Sequence, residues 1–420
     1  MLTSPIRLAD GFFAELRERE FARLDENGIA YLDHGGSAPH AASHVAAHRE
    51  LLARAVLGNP HSEHAASQAS SRAIDAARRR VLRFLDAGDD YVVCFTANAS
   101  TAIKLVAEAY PFSRASVCVL SADNHNSVNG IREYARRAGA SVDYLPLRED
   151  LRLDDPEARL AAAGGPGLFA FPAQSNFSGL QHPLSLVRTA RSLGFHVLLD
   201  AAAFVPAHAL SLRRCPADFV AVSFYKIFGY PTGIGALVAR REALDALARP
   251  WFAGGTVEHV SVQPPRHRLR HLHEGFEDGT PDFIGISALE DGFSLMDRIG
   301  LDRLACHVAD LAAELVERVT SLRRGNGWPL VKIYGATGEP AGTVTFNVLD
   351  ADGRCVPFGE VEARASAEGV HVRGGCFCNP GAAETAFRSD GAIGAVRASI
   401  GLANNRRDIA RAVDVIASFA

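Results

Sequence analysis

The sequence predicts an α/β fold: a mainly parallel seven-stranded sheet covered by helices, followed by a smaller α+β domain. Three observations carry this. Seven short apolar runs recur between residues 91 and 240. Segments of helical period separate several of them, as in "STAIKLVAEAY" (100–110) and "SLVRTARSLG" (185–194). Beyond about residue 285 the pattern turns to a long helical stretch and then to shorter strands. Strands alternating with helices argue for parallel order and burial on both faces.

The elements follow in chain order. "MLTSPIRLADGFFAELRERE" reads as amphipathic helix and lacks the apolar block of a signal peptide. Residues 1–45 are read as a segment packing with the small domain, and 46–285 as the large domain. Its predicted strands are 91–96, 116–121, 141–147, 167–173, 196–201, 218–224 and 235–240. The small domain, 286–420, opens on one long helical stretch from "ISALEDG" to "ERVTSL". Then come "LVKIYG", "GTVTFNVLD", "VHVRGG" and "VRASIG", with a turn-rich loop at 335–342.

Composition narrows the function classes. The 420 residues are 48% hydrophobic and 22% charged, with net charge −4. Nothing in that balance calls for a nucleic-acid partner. No apolar run approaches the roughly 20 residues that span a bilayer, so no membrane partner is predicted. Seven cysteines, an odd number, without a secretion signal argue against a disulfide framework and for a cytoplasmic protein. Cys376 and Cys378 sit together in "RGGCFCNPG", and no second pair has zinc-ribbon spacing, so no metal is predicted. The Arg- and His-dense "PPRHRLRHLHEG" (264–275) reads as a solvated hairpin or as a docking patch for an anionic acceptor.

The chemistry begins at "ADFVAVSFYKIFGYPTGIGALVAR" (217–240). Of 44 basic residues only Lys104, Lys226 and Lys332 are lysines. Lys226 closes an apolar strand, and the strand before it ends in Asp200. Neighbouring parallel strands bring both to one sheet edge, where such folds bind ligands. A plain ion pair is one reading. The other places pyridoxal phosphate between them, its aldehyde on the lysine and its protonated ring nitrogen facing the aspartate.

That cofactor needs a phosphate cradle, and "FTANASTAIKLVA" offers Ser100 and Thr101 at the start of a helix. His125 in "SADNHNSV" is placed to stack on a ring, and Asn176 in "AQSNFSG" to meet a phenolic oxygen. Alone, each residue is more often structural. At successive strand ends they form a set. Arg373 offers a bidentate clamp for a carboxylate. Cys378, in a Gly/Pro/Asn-rich loop, suits a mobile thiolate nucleophile, with a buried loop cysteine as the alternative.

These residues, with "YLDHGGSAP" (31–39), "GNPHS" (58–62), "SFYKIFGYPTGIGAL" (223–237), "FEDGTPDF" (276–283), "RGGCFCNPG" (373–381) and "VRASIG" (396–401), carry a resemblance over nearly the whole chain. The sequence resembles the class V, fold-type I pyridoxal phosphate enzymes. Within them it is similar to the cysteine desulfurases, and to the desulfurase domain of molybdenum cofactor sulfurases in particular. The resemblance implies that Lys226 carries the Schiff base and moves the Cα proton. Asp200 faces the ring nitrogen, His125 stacks on the ring, and Asn176 contacts the ring oxygen and the substrate. Ser100, Thr101 and Ser223 hold the phosphate, joined by Thr280 from the second subunit of a homodimer with shared active sites. Arg373 and His34 bind L-cysteine. Cys378 takes its sulfur as a persulfide, leaves L-alanine, and passes the sulfur to an acceptor protein or cofactor.

Three departures bear on this. Tyr225 stands before the lysine where many desulfurases have histidine. Ala383 stands where the molybdenum cofactor branch often has another cysteine. The sequence ends at 420, just after the small domain, whereas eukaryotic molybdenum cofactor sulfurases continue into a cofactor-binding domain. The acceptor is therefore open, and other chemistry on the scaffold stands as the alternative: a C–S lyase, a selenocysteine lyase, an epimerase or a transaminase.

Overall fold

The computed structural model describes residues 5–335, 341–388 and 391–420. The centre of the predicted turn-rich loop, 336–340, lies outside them. Seven strands form the large sheet: β1 (Tyr91–Thr96), β2 (Val117–Ser121), β3 (Ser141–Leu145), β4 (Gly167–Pro172), β5 (Phe195–Asp200), β6 (Phe219–Ser223) and β7 (Gly235–Arg240). Their spatial order is β1-β7-β6-β5-β4-β2-β3. β7 is antiparallel to both neighbours, and the remaining pairs are parallel. The central strands are almost wholly buried, because helices cover both faces. Their sequences are therefore continuous apolar runs without alternation.

This order places the C-terminal ends of β1, β2, β4, β5 and β6 along one edge. Asp200 closes β5, and its register partner on β6 is Ala221. At the end of β6, Ser223 pairs with Gly235, which also pairs with Thr96 at the end of β1. Gly235 is required by close approach. A Cβ there would lie 2.6 Å from Asn98 Cα and from the Val222 carbonyl oxygen.

The small domain has four antiparallel strands, β8 (Val331–Tyr334), β9 (Thr343–Val348), β10 (Arg373–Gly375) and β11 (Ala395–Ser399), in the order β8-β9-β11-β10. The long helical stretch is broken. Helices Leu289–Ile299 and Leu301–Ser321 meet at Gly300, whose φ of +77° ends the first. The first packs on helix Ala65–Phe84 of the large domain and the second on Arg406–Ala417 of the small one. Packing on different partners thus sets the break between the two helices at Gly300.

The N-terminal segment meets the small domain at several points. Ala30–Tyr31 pairs in parallel with Val370–His371. Phe13 stacks on His307 with ring centroids 3.6 Å apart, and the buried Arg17 pairs with Asp408 at 3.2 Å. The basic segment lies on an exposed hairpin, Val257–Ser261 with Arg266–Leu269. There Arg268 pairs with Glu258 and Arg270 with Glu274. Among the described residues no helix is long and apolar enough to cross a membrane.

Replacing Gly235 by alanine is expected to lower unfolding free energy by about 1–3 kcal/mol, because the new methyl meets backbone rather than flexible side chain. Urea unfolding reads this, and a loss under about 0.5 kcal/mol would refute it.

Candidate functional site

A cavity of about 160 Å³ opens at this sheet edge. Lys226, Asp200, His125, Asn176, Ser100 and Ser223 all line it, together with Asn98, Ser127, Gln174 and Tyr225. Lys226 belongs to the short helix Phe224–Phe228, stopped by Gly229 at φ +78°. Among the described residues its amine makes no ion pair within 4.0 Å and no hydrogen bond. The plain Asp200–Lys226 ion pair is therefore not formed. Burial lowers the Lys226 pKa; Asp200 acts against this, while Arg397 and Arg373 add to it. A lowered pKa enlarges the fraction of free amine, the form a nucleophile needs.

Asp200 sits at the cavity wall with Oδ1 accepting from the Ala202 amide at 3.0 Å. His125 caps the turn that follows β2, and its Nδ1 accepts from the Ser127 amide at 3.1 Å. The neutral ring then carries its proton on Nε2. Burial lowers its pKa, and Asp200 partly restores it.

The cradle is helix Ala99–Ala109. Its cap, Asn98, accepts from the Thr101 amide at 3.0 Å. Ser223 Oγ accepts from the Ala99 amide at 2.8 Å, and Ser100 Oγ lies 2.5 Å from Ser127 Oγ. Three hydroxyls thus meet at a helix N-terminus, a setting suited to a phosphate. Thr101 differs from the expectation: its hydroxyl turns back to Asn98 at 3.2 Å, and it is not part of the cavity wall. Ser127, which is, was not singled out in the sequence.

Cys378 lies outside the cavity, exposed, on a tight turn at its rim. Phe377 and Cys378 have φ of +55° and +56°, and the Asn379 amide closes the turn on the Cys376 carbonyl at 3.0 Å. Two successive non-glycine residues in the left-handed region persist only where their surroundings hold them. Here the Phe377 carbonyl accepts from Asn176 Nδ2 at 2.7 Å, and the Cys378 carbonyl from the Asn126 amide at 2.7 Å. The Phe377 ring is buried against Phe177, with the Arg397 guanidinium 4.8 Å from its centroid. Behind the turn lies Asp123. Its buried carboxylate accepts from Asn379 Nδ2 at 2.7 Å, Ser175 Oγ at 2.7 Å and His182 Nε2 at 2.8 Å. Asn176 is thus largely committed to the cysteine turn, with Oδ1 also taken by Asn379 at 3.1 Å. Contact with a ring oxygen would therefore require Asn176 to release one of these bonds.

Three further residues of the expected set lie outside this cavity wall. Arg373 is exposed, with its guanidinium held by both oxygens of Asp33, and it is outside the cavity wall. Arg397, on β11, is 3% exposed. It donates to the Asn176 carbonyl at 2.8 Å and to Asp33 at 3.3 Å, and its Nε has no partner. It too lies outside the cavity wall, but it is buried beside Asn176, and it was readable as a lone charge inside the apolar strand "AVRAS". Thr280 is exposed and hydrogen-bonded to Asn59, away from the cavity of its own chain. His34 lines not this cavity but a smaller one adjoining it. Among the described residues no group of three or more His, Cys, Asp or Glu is placed to hold a metal ion.

The donor set therefore fits pyridoxal phosphate: a free buried amine, a facing carboxylate and an anion cradle around one cavity. The class-V aminotransferase family model matches residues 30–412. The chain belongs to that family. Relatives in it include the molybdenum cofactor sulfurase of Bos taurus, 39% identical over 89% of this chain and 45% of the relative. That of Homo sapiens is 38% identical over 90% and 46%, and that of Arabidopsis thaliana 35% over 97% and 58%. The chain spans about half the length of these relatives. Among solved structures, the cysteine desulfurase of Thermococcus onnurineus NA1 superposes with a TM-score of 0.86 at 27% identity, covering 96% of this chain and 97% of that one. The Escherichia coli desulfurase CsdA, at 22% identity and a TM-score of 0.82, shares the fold over 96% of this class-V chain and 97% of its own.

Asp123→Ala leaves three buried donors without their acceptor. It is expected to lower unfolding free energy by about 3 kcal/mol, and Asp123→Asn by less. Thermal or urea unfolding measures both, and a loss below about 1 kcal/mol for alanine would show that Asp123 does not hold the turn.

Proposed function

We propose that this chain is a pyridoxal phosphate-dependent cysteine desulfurase. The observation that carries the reading is the unpaired, pKa-lowered Lys226 amine sharing one cavity with Asp200, beneath a rim that presents the Cys378 thiol. The names of the sulfurase relatives and of the archaeal desulfurase support it.

Lys226 would hold the cofactor, with Asp200 at its ring nitrogen, His125 on its face, and Ser100, Ser127 and Ser223 at its phosphate. When bound, the cofactor supplies an electron sink for a carbanion at the substrate Cα. The chain's residues do the rest. The Arg397 guanidinium binds and orients the carboxylate of L-cysteine. Lys226 takes the Cα proton and later returns it. The Cys378 thiolate attacks the substrate sulfur. A sulfur–sulfur bond forms as the Cβ–S bond breaks, and its electron pair returns to the substrate carbons. Protonation there releases L-alanine, and the persulfide stays on Cys378. The exposed turn then offers that sulfur to an acceptor, molybdenum cofactor or a separate carrier. In this reading the protein works as a homodimer that brings Thr280 across to the neighbouring phosphate site.

Mass spectrometry after incubation with pyridoxal phosphate and L-cysteine is expected to show one added sulfur on Cys378. Cys378→Ala keeps the cofactor absorbance but yields neither persulfide nor alanine. Pyruvate in place of alanine would make the protein a C–S lyase instead. Arg397→Gln is expected to raise KM for L-cysteine by about tenfold or more, as loss of a charge-assisted bond requires. Arg373→Gln should change it less, and the reverse order would return the clamp to Arg373.

A further inference from the structure

A second chamber of about 40 Å³ adjoins the Lys226 cavity, and both walls include Lys226, Gln174, Ala202 and Ala203. His34 lines the chamber. Its ring is 7% exposed; the Ser399 backbone lies close enough to favour the charged ring, and neither nitrogen makes a well-aligned hydrogen bond among the described residues. Buried polar atoms of native proteins are nearly always satisfied, so the second ring nitrogen points to a missing partner.

The ring cannot simply turn away. A Cβ added at Gly401 would lie 2.1 Å from His34 Cδ2, so only glycine leaves room for the imidazole there. Tyr31 packs edge-on at 5.4 Å. Burial pushes the His34 pKa down to about 4, partly offset by the Ser399 backbone and Asp33. Near neutral pH the ring is therefore uncharged, with one nitrogen to accept and one to donate. Lys226 also lacks a partner, and it shares the chamber wall. A buried water needs about 10–15 Å³ of such space and two to four polar neighbours. The chamber exceeds that volume, and His34, Gln174 and Lys226 supply the neighbours.

We propose that His34 is a positioning residue that holds an ordered water against Lys226. The water accepts from the lysine amine and donates to the imidazole, which directs the amine's lone pair into the main cavity. An uncharged ring does this without adding a second cation beside the lysine. The inference rests on the proposed role of Lys226 at the substrate Cα and is independent of Cys378.

The test is exchange of the Cα hydrogen of L-alanine with D2O, followed by proton NMR on the pyridoxal phosphate-loaded protein. This reaction needs Lys226 but neither C–S cleavage nor a thiol. His34→Ala and the volume-filling His34→Leu are expected to slow exchange by about tenfold, the order of one lost hydrogen bond. The dissociation constant of L-alanine, read from cofactor absorbance, should stay within about twofold, since the carboxylate site is untouched. His34→Gln, which keeps a donor and an acceptor, should restore most of the rate, as should free imidazole added to His34→Ala. Exchange at the parent rate in His34→Leu would overturn the proposal. So would a loss that neither glutamine nor imidazole repairs, or a parent protein that exchanges nothing. Exchange needs no thiol, whereas persulfide formation on Cys378 does, so failure of this inference is distinct from failure of the desulfurase reading.

Discussion

The site depends on one buried carboxylate. Asp123 follows β2 of the large sheet, yet its three donors come from two other places: Ser175 and His182 beyond β4, and Asn379 in the small domain. A carboxylate out of water is costly unless its acceptor sites are filled. Here three donors fill them, and the arrangement is specific because each donor is itself fixed. Asn379 also caps helix Pro380–Ala386, so the same side chain that satisfies Asp123 sets where that helix starts. The cysteine turn lies immediately before it. The two domains are thus joined beside the turn that carries Cys378.

The second constraint is electrostatic. Lys226 lies among Asp200, Asp33, Arg373 and Arg397, and burial outweighs the favourable terms. A direct salt bridge would stabilise the ammonium and remove the amine as a nucleophile. Keeping Asp200 beyond ion-pair distance leaves the lysine free and the carboxylate available for a different cation. The two arginines are separated by the same logic. Asp33 is shared by both, but Arg373 uses its planar edge on it, while Arg397 keeps Nε without a partner.

Strained backbone and reactive side chain coincide at Cys378. The turn holds two left-handed non-glycine residues, and five contacts from both domains hold it in turn: two backbone carbonyl bonds, two ring contacts and the Asn379 cap. Cys376 and Cys378 are both free and exposed.

The sequence by itself determined the seven-stranded sheet, because long apolar strands and helical periods are local patterns. It also determined which polar residues end those strands, and Lys226, Asp200, His125, Ser100 and Ser223 do meet at one cavity. Strand order along a parallel sheet brings C-terminal ends together whatever the details of packing. Tertiary structure decided the rest. The break at Gly300 follows from which domain each helix packs on. Arg397 is buried and Arg373 exposed, both on Asp33, and neither fact is visible in residue spacing. His34 sits in the same motif as Asp33, but only packing against Gly401 shows that it faces a separate chamber. The bond from Asp123 to Asn379 spans 256 positions. Such contacts arise when separately folded elements close on each other, so their partners are set by three-dimensional packing and leave no periodic trace along the chain.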